Sequence, residues 1–197
     1  MTGIDHCVWE HVTCVNSDRY VTYLGLNGNN LMGPIPDTIG NLVNLEYLYL
    51  NNNELTGPIP ETIGNLVNLR RLSLHSNQLT GPIPETTISD LVNLQDLYLN
   101  GNQLTGPIPV IIDNLVNLEQ LYLNDNQLTG PIPEAIDNMV SLKHLYLNGN
   151  ELTGPIPVTI GNLANLQHLY LSSNELDPTP EWLTTFCESR TTLTCQL

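Results

Sequence analysis

Leucines recur along this chain at a near-constant interval. Units aligned on them begin at Val21, Leu45, Leu69, Leu94, Leu118, Leu142 and Leu166, each 24 residues long except the unit from Leu69 to Asn93, where "PETTISDL" carries one residue more than "PETIGNL". The common pattern is L-x-x-L-x-L-x-x-N-x-L-x-G-P-I-P-x-x-I-x-x-L-x-N. Its first part alternates apolar and polar positions, as at Leu97, Tyr98 and Leu99, which is the period of a short strand with one buried face. The G-P-I-P segment is extended or turning, because its two prolines fix φ and remove donors. The "xxIxxL" that follows has the spacing of a short 3₁₀ or helical turn.

One strand and one return segment cannot bury an apolar side alone, so the units must stack and share a core. The pattern therefore predicts parallel strands about 4.8 Å apart on a concave side and the return segments on a convex side. Seven strands give a sheet roughly 30 Å across. The asparagine after each strand recurs as Asn29, Asn53, Asn77, Asn102, Asn126, Asn150 and Asn174. An amide both donates and accepts, so a column of them can satisfy backbone groups left open where the strand turns.

The period departs from the pattern after Leu176. Trp182, Leu183 and Phe186 supply apolar bulk to cover the open end of the core. The reading is one domain over residues 1–197, with an N-terminal cap at 1–20, seven repeats at 21–176 and a C-terminal cap at 177–197. The four cysteines form close pairs at the two ends, Cys7 with Cys14 and Cys187 with Cys195. This fits two short disulfide loops and an oxidising compartment. A four-cysteine metal site would need both ends of a long rod to meet, and no C-x-x-C spacing occurs.

Within each strand the non-leucine positions face outward and line up across the sheet. The centre column reads Gly25, Tyr49, Ser73, Tyr98, Tyr122, Tyr146 and Tyr170. Before it stand Tyr23, Tyr47, Arg71, Asp96, Gln120, His144 and His168; after it stand Asn27, Asn51, His75, Asn100, Asn124, Asn148 and Ser172. Tyrosines with flanking amides suit binding of a protein, peptide or glycan, although repeat duplication alone would also leave such a ladder. Ser73 interrupts it. A serine between Tyr49 and Tyr98, with Arg71 and His75 alongside, predicts a notch that accepts an acidic or planar group. Alternatively Arg71 pairs with Asp96, Arg70 with Glu46 and Glu119 with Lys143. His144 and His168 are column neighbours without an evident third metal ligand, and His6 and His11 belong to the N-terminal cap.

Charge narrows the partners. Five Lys and Arg stand against 20 Asp and Glu, a formal net charge of −15, which repels nucleic acid phosphates and anionic lipid. No apolar run approaches the roughly 18 residues that span a bilayer, and the opening MTGIDHC lacks the charged and apolar segments of a signal peptide. Phosphate-cradling loops, nucleophile elbows and zinc-type histidine motifs are absent from the sequence. Glu61, Glu85 and Glu134 stand on an outer face with nothing to enclose a substrate, so no catalysis and no cofactor or metal is expected.

These repeats, in the form "LxxLxLxxNxLTGPIPxxIGNLxN", resemble the plant-specific class of leucine-rich repeat found in receptor-like kinase ectodomains and polygalacturonase-inhibiting proteins. The opening "CVWEHVTC" from Cys7 to Cys14, with Trp9, is similar to their N-terminal cap. The resemblance covers about residues 5 to 176. It implies an α/β fold: a right-handed leucine-rich repeat solenoid with a short parallel concave sheet and 3₁₀ or extended convex segments. It further implies a non-catalytic, extracellular or cell-surface recognition module, a monomer that binds a protein or peptide. The expected surface comprises Tyr47, Tyr49, Arg71, Ser73, His75, Asp96, Tyr98, Asn100, Tyr122, Asn124, Tyr146 and Tyr170. Alternatives are carbohydrate binding, inhibition of a secreted polysaccharide-degrading enzyme, or recognition of a periodic surface such as a glycan lattice or ice, for which Thr56, Thr80, Thr105, Thr129 and Thr153 recur at unit spacing.

Overall fold

The computed structural model describes residues 12–15 and 20–197. The alternating segments form three-residue strands, Tyr47–Tyr49, Arg71–Ser73, Asp96–Tyr98, Gln120–Tyr122, His144–Tyr146 and His168–Tyr170, that follow Tyr20–Gly25 in one parallel sheet. Their register advances by one unit each time, so Leu48, Leu72, Leu97, Leu121, Leu145 and Leu169 lie side by side. The sheet has nine strands among the described residues, not the seven expected from the repeats. Val12–Val15 pairs antiparallel at one edge and Thr194–Gln196 parallel at the other. Each cap thus contributes a strand of its own, which covers a sheet edge that would otherwise be open.

The return segments are extended, as expected, and in addition they pair, which was not expected. The sequence predicts them as extended or turning, yet they pair into a second, seven-stranded parallel sheet: Met32–Pro34, Glu54–Gly57, Gln78–Pro82, Gln103–Pro107, Gln127–Gly130, Glu151–Gly154 and Glu175–Leu176. Pairing is possible because the first six strands end at the glycine or the proline after it, where the missing N–H no longer matters; the last ends at Leu176. The glycine has a further role. Gly57, Gly81 and Gly106 have φ between 74 and 76°, a left-handed conformation that turns the chain inward and penalises any Cβ.

Behind this sheet the chain makes single 3₁₀ turns at Asp37–Asn41, Glu61–Asn65, Val110–Asn114, Glu134–Asn138 and Val158–Asn162. In the unit with the extra residue the turn is α-helical instead, Glu85–Ile88. Between the two sheets lies a continuous core in which Leu45, Leu69, Leu94 and Leu118 are fully buried and Ile59, Ile83 and Ile108 nearly so. Truncating one such leucine to alanine costs about 2–5 kcal/mol.

The asparagine column does what its chemistry allows. Asn102 accepts from the Leu79 N–H at 3.1 Å and donates to the Leu74 and Leu99 carbonyls at 3.1 and 3.0 Å. Asn53, Asn77, Asn126, Asn150 and Asn174 bridge neighbouring units in the same way. Asn29 is the exception: it is exposed and donates to the nearby Asn27 carbonyl. No repeat precedes it to be bridged.

At the far end, the helix Glu181–Ser189 buries Leu183 and packs Trp182 and Phe186 against the core, as the sequence predicts. Cys187 and Cys195 are disulfide-bonded, which ties this helix to the last strand of the concave sheet. Arg190 lies over the Phe186 ring, 4.3 Å from its centroid, and donates to the Leu163 carbonyl. Cys7 of the expected Cys7–Cys14 bridge lies outside the described residues, as do His6, Trp9 and His11.

Candidate functional site

The outward columns of the concave sheet hold the expected residues, but the tyrosine rings are half-buried rather than exposed. Parallel strands about 4.8 Å apart bring successive rings into contact. Tyr122 and Tyr146 stack with centroids 4.3 Å apart at 10°, and Tyr146 and Tyr170 at 4.4 Å and 15°. Tyr98 tilts against Tyr122 at 5.1 Å and 47°. Stacked rings cover each other's faces, so from Tyr122 to Tyr170 the surface presents ring edges and hydroxyls. Burial together with the neighbouring phenols Tyr122 and Tyr170 holds the Tyr146 hydroxyl well above the usual phenol range. Burial also raises Tyr98 and Tyr122. The Tyr98 hydroxyl donates to Gln120 Oε1 at 2.7 Å, and the Tyr122 hydroxyl bonds with His144 Nδ1 at 3.0 Å.

The ladder is broken at Ser73. With no ring there, a depression of about 360 Å³ opens, walled by Tyr23, Tyr49 and Tyr98 and lined by Asn51, Arg71 and His75. Its floor is Ser73 itself, 3% exposed, whose hydroxyl donates to Asn51 Oδ1 at 3.2 Å. Tyr23 was not anticipated as a wall. It belongs to the preceding column, yet its ring leans over Gly25 and sits 5.5 Å from the Tyr49 ring. A Cβ on Gly25 would lie 2.6 Å from the Tyr23 hydroxyl oxygen. Gly25 therefore makes room for a borrowed ring, and Gly25 with Tyr23 two residues before it is the sequence signal for it. Asn27 and Asn51 also line the depression without having been singled out.

Arg71 stands at the rim, and the ion pair anticipated as an alternative to a free guanidinium is formed. Its Nε and Nη2 lie 2.6 and 2.5 Å from Asp96 Oδ2, and Nη1 donates to the Tyr49 hydroxyl at 3.3 Å. Burial alone would lower the Arg71 pKa; bonds to Asp96 and Tyr49 outweigh it and the net shift is upward. Asp96 is 4% exposed. The guanidinium keeps two of its five N–H donors beyond these contacts. Arg70 likewise pairs with Glu46, and Lys143 with Glu119. Burial lowers the His75 pKa, which favours the neutral ring beside the edge of Tyr98. The depression is thus aromatic-walled, polar-floored and close to charge-balanced.

The structure gathers Tyr49, Arg71, Ser73, His75 and Tyr98 around this depression, with Asp96 behind Arg71. Tyr122, Tyr146 and Tyr170 form a separate stack towards the C-terminus. Tyr47 lies in the preceding column, 6.5 Å from Tyr23. Asn100 and Asn124 follow the centre column, Asn124 donating to Asp125 Oδ2 at 2.6 Å. The His144 and His168 rings lie 4.6 Å apart, tilted at 44°, and among the described residues no cluster of three or more His, Cys, Asp or Glu side chains is arranged to hold a metal.

A family model described as Leucine rich repeat matches residues 19–79, 81–128 and 116–176. The LRR receptor-like serine/threonine-protein kinase SIK1 of Oryza sativa subsp. japonica is 48% identical over 44 residues, which are 22% of this chain and 4% of that protein. Among solved structures, the chain is similar to the ectodomain of the Arabidopsis thaliana membrane receptor kinase GASSHO1/SCHENGEN3 in complex with CASPARIAN STRIP INTEGRITY FACTOR 2. The TM-score is 0.85 with 38% identity, covering 98% of this chain and 26% of that one. It is similar to a plant ice-binding protein, with TM-score 0.82 and 36% identity over 87% of this chain and 56% of that one. It is similar as well to the Arabidopsis receptor kinase HAESA in complex with the peptide hormone IDA and the co-receptor SERK1, with TM-score 0.68 and 37% identity over 89% and 33%.

Proposed function

The chain belongs to the leucine-rich repeat family, and from that premise we propose that its concave face is a non-catalytic, extracellular recognition surface for an extended peptide or protein loop, one side chain of which seats in the depression at Ser73. The observation that carries this reading is the gap itself: a small, aromatic-walled recess in an otherwise continuous ring ladder. Such a recess desolvates an anchor side chain, and a few anchors of this kind dominate binding energy. Two of the similar receptor ectodomains are solved with bound ligands, one of them a peptide hormone, which supports a polypeptide ligand. The Cys187–Cys195 disulfide supports an oxidising location.

The chemistry of the recess narrows the anchor. Because Asp96 already balances Arg71, a carboxylate gains less here than beside a free guanidinium. A planar, hydrogen-bonding group such as an amide or phenol fits better, stacking between Tyr49 and Tyr98 and using the remaining Arg71 N–H groups. The test is selection of a displayed random-peptide library against the wild type and against a Tyr98→Ala/Tyr122→Ala variant that remains folded. Enrichment of a shared motif by the wild type alone supports the reading. Equal enrichment by both, or none by either, contradicts it.

A second reading has one observation in its favour. The similarity to a plant ice-binding protein coincides with the exposed Thr56, Thr105 and Thr153 on the second sheet. An ice-recrystallisation assay separates it from peptide binding, because Thr105→Arg would abolish ice activity and leave the concave face intact.

A further inference from the structure

On the side of the molecule away from the ladder, a groove of about 830 Å³ runs across four consecutive units. Its centre is Pro82 to Glu85, where the lengthened unit replaces the 3₁₀ turn by an α turn. The floor is apolar: Ile59, Ile83 and Ile108, each 2 or 3% exposed, flanked by pairs of prolines at 58 and 60, 82 and 84, and 107 and 109. Val110, 61% exposed, closes one end. The rim is acidic, carrying Asp37, Glu61 and Glu85, all exposed. Three unit spacings of about 4.8 Å give it a length of roughly 14 Å, enough for four or five extended residues at about 3.3 Å each.

From this we propose that the groove is a docking site for an extended basic segment of a partner protein, with apolar side chains on the isoleucine and proline floor and Lys or Arg side chains on the acidic rim. Three observations select that occupant. The six prolines contribute no N–H to the groove, so it favours a ligand that brings its own donors. Every ionisable group lining it is a carboxylate. The cations among the described residues are engaged elsewhere: Arg70 with Glu46, Arg71 with Asp96, Lys143 with Glu119, and Arg190 with the Leu163 carbonyl. Among the described residues, no Lys or Arg therefore offsets Asp37, Glu61 and Glu85. A second copy of this chain, at a formal net charge of −15, would bring like charge to the rim. A neutral proline-rich segment would find few donors for its carbonyls. The site is independent of the concave face, and the two can be occupied together.

The test uses a short synthetic peptide alternating leucine and lysine, with the leucine–glutamate counterpart and a neutral proline-rich peptide as comparators. Binding is followed through the methyl NMR signals of Ile59, Ile83 and Ile108. The lysine peptide alone is expected to shift those signals, with affinity falling as salt rises. Glu61→Lys/Glu85→Lys is expected to weaken binding at least about tenfold, and Glu151→Lys/Glu175→Lys, which changes net charge equally on exposed positions elsewhere, by less than about threefold. Equal loss in both variants would reduce the effect to overall charge and overturn the proposal. So would shifts confined to other parts of the molecule, tighter binding of the glutamate or proline-rich peptide, or self-association through the groove.

Discussion

Arg71 reaches across one strand spacing to place two nitrogens, Nε and Nη2, on the same oxygen of Asp96, a carboxylate only 4% exposed. The two residues are register partners in adjacent strands. Removing the cation would strand a buried negative charge, whereas removing both charges leaves no such debt. Arg71→Ala is therefore expected to lower stability by about 2 kcal/mol, between the values for exposed and fully buried pairs. Adding Asp96→Asn should restore much of the loss. Chemical denaturation of the two single variants and the double variant checks this as a thermodynamic cycle; additive losses would mean the pair is not coupled.

The asparagine column carries a larger share of stability than any surface pair. Asn102→Ala leaves the Leu79 N–H without its side-chain acceptor, while the Leu74 and Leu99 carbonyls each lose one of two asparagine donors and keep Asn77 and Asn126. At about 1–3 kcal/mol for one buried group left unmade, a loss of about 2 kcal/mol is expected. Because repeat arrays are stabilised by neighbour contacts, hydrogen exchange should accelerate most in the units on either side of Asn102.

Closure of the C-terminal end by the Cys187–Cys195 bridge stabilises the fold by about 2.5 kcal/mol on the chain-entropy estimate for so short a loop. A Cys187→Ser/Cys195→Ser variant is expected to melt earlier. Its exchange should quicken first in Thr194–Gln196 and its partner strand His168–Tyr170.

The histidines give the fold a pH dependence of definite sign. Burial, then the charges of His168 and Lys143, holds the His144 pKa below its usual value, opposed by Asp96 and Glu119; burial does the same to His75. The unfolded chain, with a histidine pKa of about 6.5, then takes up protons before the folded one. Stability is flat above that value and falls as pH drops through it. His144→Gln should flatten the decline in melting temperature between neutral and mildly acid pH, and an unchanged slope would assign the decline to other groups.

The period, the concave columns and the Arg71–Asp96, Arg70–Glu46 and Lys143–Glu119 pairs were legible because each follows from register: residues one unit apart must be neighbours; the C-terminal cap was legible instead from the apolar Trp182, Leu183 and Phe186 beyond the last repeat. The second sheet was not. A stretch such as Leu104 to Pro109 carries a glycine and two prolines, and its local chemistry reads as a turn; only the stacking of copies supplies a partner for its backbone. Ring geometry was also hidden, since alternation states which side Tyr122 and Tyr146 occupy but not that their faces meet at 4.3 Å. The recess was anticipated from Ser73, and its third wall was missed because Tyr23 leaves its own column to lie over Gly25.

The central claim is that the gap at Ser73 receives the ligand's anchor. Its most direct test is calorimetric titration of the selected peptide into the wild type and into Ser73→Tyr, which completes the ladder and fills the recess. Stability of the variant should stay within about 1 kcal/mol of the wild type, since the added ring packs against its neighbours while one hydroxyl bond is lost. The account predicts that this variant, still folded, loses peptide affinity at least about a hundredfold, the scale of one anchor residue; unchanged affinity in the folded variant would contradict it.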